Sequence, residues 1–151
     1  MPGRQAVRAI IIKDQRLLAM KRNKFGLQYY TLVGGGIDAG EDAETALRRE
    51  LREETSLEVG EVKLVFSEDA GDMYGQQFIY TVEYVSGEPQ LASDSEEALI
   101  SAIGQNTFEP VWLTFNELPQ VIFRSSSVRE AILIALQNGF PTQPQQLAFK
   151  A

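Results

Sequence analysis

Glu50, Glu53 and Glu54 stand three and four residues apart within Arg49-Glu50-Leu51-Arg52-Glu53-Glu54. If that stretch is helical, all three carboxylates leave from one side. Like charges so placed repel, at roughly 0.2–0.5 kcal/mol per pair, and they sit toward the helix end where the macrodipole disfavours negative charge. A sequence that breaks two local rules at one place marks a candidate functional site. A divalent cation resolves both conflicts, and magnesium in particular takes hard oxygen ligands and bridges carboxylates to phosphates. The same cluster is also what a solvated helix face shows, with Arg48, Arg49 and Arg52 as its partners. Upstream lies Gly34-Gly35-Gly36. A glycine turn can approach a ligand closely and present N–H groups to phosphate, so loop and helix together read as a phosphate-and-metal device.

Charge and composition narrow the chemistry further. The chain has no histidine, which removes Ser-His-Asp triads, histidine zinc sites and histidine acid–base catalysis. It has no cysteine, hence no disulfide, thiolate metal site or cysteine nucleophile. Net charge is −7, which argues against stable nonspecific binding to nucleic acid. The acid is uneven: from Asp38 to Glu58 eight acidic residues face three arginines. An acidic surface that handles an anionic phosphate needs a metal ion between them. No apolar run is long enough for a membrane helix, and the first residues lack a secretory leader pattern, so a cytoplasmic location is expected.

The elements that must position these residues follow from periodicity. Val7–Lys13 is β-branched and apolar, a buried strand. Asp14-Gln15 is a turn, Arg16–Arg22 a second strand, and Tyr29–Val33 a third that runs into the glycine turn. From Glu41 to Thr55 the apolar residues Ala43, Ala46, Leu47 and Leu51 recur at helical spacing. Val62–Ser67 and Gln77–Val85 form two longer strands, and Glu96–Ile103 is a helical turn within a loop. Val111–Phe115 is a late strand, Asn116–Pro119 a turn and Val128–Gln137 a closing amphipathic helix. Strands interrupted by well-separated helices suggest an α+β fold. One domain is expected over residues 1–140, with 141–151 a loosely packed tail.

The segment Gly35–Leu57 resembles the Nudix box. That pattern is Gly, five residues, Glu, seven residues, Arg-Glu, an aliphatic, any residue, Glu-Glu, any residue, Gly, an aliphatic; Gly35, Glu41, Arg49, Glu50, Leu51, Glu53, Glu54 and Leu57 fall in place. Ser56 stands where the pattern has its last glycine. The likeness extends to Tyr29–Gly36, similar to the family's aromatic lead-in to Pro-Gly-Gly with Val33 in the proline's place, and to Val111–Leu113 followed by Glu117-Leu118-Pro119. It implies an α/β/α sandwich, a mixed sheet between helices with a loop-helix-loop catalytic motif. Neither departure removes a ligand; serine at a left-handed position costs on the order of 1 kcal/mol.

The resemblance implies a pyrophosphohydrolase that cleaves the diphosphate link of a nucleotide, nucleotide sugar or dinucleotide polyphosphate, with Mg2+ as cofactor and Mn2+ as a substitute. Glu50, Glu53 and Glu54 are then metal ligands, joined by the Gly35 backbone and by Glu97, with neighbouring Glu96, from a loop outside the box. Glu50 and Glu53 form the catalytic group with Arg49, Glu53 polarising the attacking water and Arg49 orienting a glutamate by ion pairing. Gly35 and Gly36 offer backbone to the substrate, while Arg8, Arg22 and Lys24 are the cations that can meet its phosphates. Tyr29, Tyr30, Phe78 and Trp112 can stack a base or simply fill the core. The expected partner is a small nucleoside diphosphate derivative, with no membrane and no stable nucleic-acid partner; a homodimer is common in the family, and no residue decides it. A catalytically weak nucleotide-binding module on the same fold is the competing reading. RNA 5′-end processing is disfavoured by the acidic charge.

Overall fold

The computed structural model describes residues 3–151, and of Met73 only the backbone; Met1 and Pro2, where the expected domain begins, lie outside the described residues. The first strands are β1 (Gln5–Ile10), β2 (Ile12–Lys13), β3 (Arg16–Lys24), β4 (Leu27–Thr31) and β5 (Val33–Gly36). Helix α1 (Ala43–Thr55) follows, then β6 (Glu58–Asp69), the short α2 (Gly71–Tyr74) and β7 (Gln76–Ser86). The chain continues through α3 (Glu96–Ile103), β8 (Asn106–Thr114), a 3-10 turn, α4 (Ser126–Asn138) and β9 (Gln145–Leu147).

The strands form two sheets, where one mixed sheet was expected. The larger runs β5-β1-β7-β6-β9, with the β1–β7 and β6–β9 pairs parallel and the others antiparallel. In the smaller, β3 pairs along its whole length with β8, and β2 and β4 share its other edge. Two breaks explain the division. At Ile11 and at Leu32 the chain passes from one sheet to the other, which also splits the two strands expected over Val7–Lys13 and Tyr29–Val33. Asp14 and Gln15 turn β2 into β3 with φ of 52° and 59°, the left-handed pair that matches the twist of a tight hairpin.

Alternation along the strands sorts the core into two layers. Val7, Ala9, Ile11, Leu18 and Met20 pack with Ala46, Leu47 and Leu51 of α1. The intervening Ile10, Leu17 and Ala19 pack with Val128, Ile132 and Ala135 of α4. Period-two burial thus places α1 and α4 on opposite sides of the strands, as the α/β/α expectation required. Each fully buried leucine contributes roughly 2 kcal/mol to holding its helix there.

The tail departs from expectation. Residues 145–147 add β9 parallel to β6, pairing Phe66 with Gln145 and Glu68 with Leu147. Phe140 and Leu147 pack on the α4 layer, and the Lys150 N–H donates to Ser127 Oγ at 3.0 Å. Its prolines and glutamines suggested fraying, but two apolar residues and an open edge of β6 were enough to tie it down.

Candidate active site

The glycines expected to form a turn lie in a strand. Gly34, Gly35 and Gly36 pair with Arg8, Val7 and Ala6 of β1, so their backbone is held by a ladder. Close approach is what requires glycine at the first two. Gly34 has φ of +137°, and a methyl group there would strike the Val7 carbonyl oxygen at 2.0 Å. A methyl group at Gly35 would meet the Glu50 carboxyl at 2.6 Å. The strand therefore forms a floor against which the α1 carboxylates lie.

Helix α1 presents those carboxylates under control at both ends. Asp42 caps its start, accepting from the Thr45 N–H at 2.8 Å. At its end Ser56 adopts φ of 57°, keeping the left-handed conformation of the family's glycine, and its N–H donates to the Arg52 carbonyl. The Ser56 hydroxyl donates to the Gln90 carbonyl at 2.8 Å. The Gln90 and Ala92 N–H groups donate in turn to the carbonyls of Thr55 and Glu53, at 2.9 and 2.8 Å. This stitched segment leads to Ser95, whose hydroxyl accepts from the Ala98 N–H and starts α3. Glu97 sits in the first turn of α3, where the helix dipole favours a negative charge.

The result is a cluster of three carboxylates. Glu50, Glu54 and Glu97 offer oxygens that all lie within 4.8 Å of one another. Glu53 is outside this trio: its carboxylate faces Arg49 at 3.4 Å and Arg52 at 3.7 Å while still lining the same hollow. One oxygen each of Glu50 and Glu97 is buried with no hydrogen-bond partner among the described residues. Glu54 is 4% exposed, and one of its oxygens accepts from the Gly34 N–H at 2.8 Å. Burial pushes the Glu54 carboxyl up to about 8 and moves Glu50 upward too, against the opposing pull of the Gly34 N–H and of Arg8 on Glu54 and of Arg49 on Glu50. Three hard oxygen donors, two unpartnered, in a site that penalises bare negative charge, fit a divalent cation.

Arg49 ties the loop to the helix. Nε and Nη2 donate to the two oxygens of Glu41 at 2.7 and 3.0 Å, and Nη2 also donates to the Gly36 carbonyl at 3.0 Å. Nη1 donates to Glu50 at 2.9 Å and to Glu53 at 3.4 Å. All five guanidinium N–H groups are engaged, so Arg49, expected in the catalytic group, has the geometry of a positioning residue. Its pair holds the Glu41 carboxyl down to about 2. Gly36 likewise turns its carbonyl to Arg49.

Arg8 and Arg22 line the same hollow of about 640 Å³, together with Gly35, Glu96 and Glu97. Arg8 donates to the carbonyls of Leu32 and Gly34, both at 3.2 Å, and so braces the glycine strand from below. Arg22 donates to the Thr107 carbonyl and to Asn106, with its guanidinium 3.7 Å from the Phe108 ring centre. Of the aromatics, Trp112 packs edge-on against Tyr84, and Tyr30, Phe78 and Trp112 all lie against the core layers. Sequence reasoning missed Gly34 as the donor to Glu54, and Ser95 as the start of the helix that carries Glu97. The Ser95-Glu96-Glu97 run, a capping residue followed by acids, was the available signal.

Comparison with known proteins bears on this geometry. The NUDIX domain model matches residues 2–132. An ADP-ribose pyrophosphatase of Methanocaldococcus jannaschii is 33% identical over 98 residues, 62% of this chain and 58% of that protein. The NAD-capped RNA hydrolase NudC of Photobacterium profundum is 29% identical over 125 residues, 82% of this chain and 42% of that protein. The chain thus spans little more than half, or less, of the length of these curated relatives. Among solved structures, a MutT NUDIX hydrolase from Burkholderia pseudomallei superposes with a TM-score of 0.66 at 23% identity, covering 85% of this chain and 96% of that one. That likeness speaks to the fold. Among the described residues, no helix is long and apolar enough to cross a membrane.

Proposed function

The chain belongs to the NUDIX family, and from that premise we propose that it is a magnesium-dependent pyrophosphohydrolase acting on a nucleoside diphosphate derivative. The observation that carries this reading is the carboxylate trio Glu50, Glu54 and Glu97, with two unpartnered buried oxygens, above a floor of glycine backbone. Glu50, Glu54 and Glu97 would hold the cation. When bound, the metal supplies the positive charge that offsets the diphosphate and stabilises its leaving oxygen. The Gly34 N–H fixes one oxygen of Glu54, leaving the other for the metal. Arg49 sets the rotamer of Glu50 and keeps Gly36, Glu41 and the helix in one rigid unit. Glu53 lines the same hollow beside the trio, held by Arg49 and Arg52, and in this reading it accepts a proton from the attacking water. Gly35 leaves room for the Glu50 carboxyl, and Arg22 offers positive charge on the wall that meets the phosphates.

The test is turnover. The protein is incubated with magnesium and nucleoside triphosphates, ADP-ribose, nucleotide sugars and diadenosine polyphosphates, beside a Glu54→Gln control. Nucleotide release that is abolished by chelator and by the substitution is expected. Silence across the panel, with a nucleotide still raising the melting temperature, would replace the hydrolase by a binding module.

A further inference from the structure

A second hollow, of about 540 Å³, opens beside the acidic one and shares Arg4, Arg8, Arg22 and Thr31 with it. Its charge is opposite. Arg4, Arg8, Arg22, Lys24 and Arg124 line it, against the side chain of Glu68 and the terminal residue Ala151. Glu68 is 2% exposed, and its oxygens accept from the hydroxyls of Ser125 and Ser127, so it pairs with none of these cations. None of the five forms an ion pair among the described residues. A chain of net charge −7 that gathers unpaired cations in one concavity is built for an anion.

The scissile diphosphate does not account for all of them. It must reach the carboxylate trio, and Arg8 and Arg22 stand on the wall common to both hollows. Lys24 and Arg124 line the second hollow alone. Arg124 is oriented in advance: its N–H donates to the Tyr30 carbonyl at 2.9 Å, and its guanidinium lies 4.2 Å over the Tyr29 ring. No hydrogen bond engages that guanidinium among the described residues, so its donors remain for a ligand. Tyr74 and Phe149 add apolar wall of the kind a nucleoside packs on.

We infer that Lys24 and Arg124 bind a phosphate carried on the ribose, beyond the two of the scissile link. The substrate class is then a nucleoside diphosphate derivative phosphorylated at the ribose 2′ or 3′ position, an inference that rests on the hydrolase reading above. Binding separates the two. In chelator, the protein is titrated by calorimetry with 5′-AMP, 2′,5′-ADP and 3′,5′-ADP. One bisphosphate is expected to bind about tenfold tighter than AMP. Arg124→Gln, and independently the exposed Lys24→Gln, should each shrink that ratio severalfold. Equal affinities, or a preference that survives both substitutions, would overturn the inference. With magnesium, the pairs NADH and NADPH, and dephospho-coenzyme A and coenzyme A, are then compared for turnover. Faster cleavage of the phosphorylated member is expected, and equal cleavage of both members of each pair counts against the ribose phosphate. No cleavage of any, with the binding preference intact, counts against the hydrolase reading alone.

Discussion

Two hollows of opposite charge lie side by side in this molecule and share a wall of arginines. In the acidic one, Glu50, Glu54 and Glu97 are held by backbone and by Arg49, with oxygens left over for a cation. In the basic one, Lys24 and Arg124 form no ion pair among the described residues and stand around space that aromatic rings flank. The first gathers carboxylates and the second gathers cations, and Arg8 and Arg22 stand on the wall common to both. In the reading proposed above, a ligand that bridges them presents its diphosphate to the acidic side. Chemistry and selectivity are thus separable in space, and each can be broken alone.

The largest effect is expected from Glu54→Gln. It removes a charged ligand and leaves the fold, so kcat should fall on the order of a thousandfold while nucleotide binding in chelator persists. Steady-state kinetics beside calorimetry checks both halves. Arg49→Lys comes next. Lysine cannot reproduce five donors in one plane, and kcat should fall about tenfold to a hundredfold with a raised magnesium requirement. If kcat is unchanged, Arg49 does not position the glutamates.

Salt sharpens the contrast between the hollows. Raising ionic strength screens the exposed Lys24 and Arg124 more than the largely buried trio. KM for a ribose-phosphorylated substrate should therefore rise by about threefold to tenfold, with kcat little changed. A fall in kcat instead would place the salt-sensitive contacts on the acidic side.

The acidic hollow also leaves a mark on stability. The Glu54 carboxyl is pushed up to about 8 by burial in the folded, metal-free protein, against 4.5 for an ordinary glutamate. The folded state therefore holds a proton that the unfolded state releases. Stability from this group is fully present below about 4.5, declines as pH rises and is lost above about 8. Thermal scans in chelator should show the melting temperature falling by on the order of 10 °C across that range. Glu54→Gln should flatten the decline, and a rise with pH would contradict the burial of this carboxylate.

Much of the acidic hollow was legible in the sequence because it is local. Gly35, Glu41, Arg49, Glu50 and Glu54 stand at fixed spacings in one loop and helix, and the helix period aims the glutamates. Glu97 was legible only as an acid in a loop, because what brings it in is the stitching of Gln90 and Ala92 to the end of α1. Glu53 shows the limit of periodicity: on the same face as Glu50 and Glu54, it is drawn to Arg49 and Arg52 instead. The basic hollow was legible only in part: Arg8, Arg22 and Lys24 stood out as cations for phosphate, but nothing in the sequence joined Arg4, Arg124 and Phe149 to them. Arg4, Lys24, Arg124 and Phe149 meet only after two sheets form and β9 anchors the tail, which pairings distant in sequence decide. The glycine strand is the same lesson in small: a turn by composition, it becomes a strand because β1 offers it a ladder.

If Glu50, Glu54 and Glu97 together hold one divalent cation, removing any one of them weakens its binding. Manganese is titrated into the unaltered chain and into Glu97→Gln, and binding is followed by water-proton relaxation. Glu97 lies outside the glycine-to-glutamate motif, so motif resemblance alone does not require it. At least about tenfold weaker manganese binding in the variant, with an unchanged melting temperature in chelator, is the expected result. Equal affinity in the two proteins would remove Glu97 from the site and contradict the three-carboxylate account.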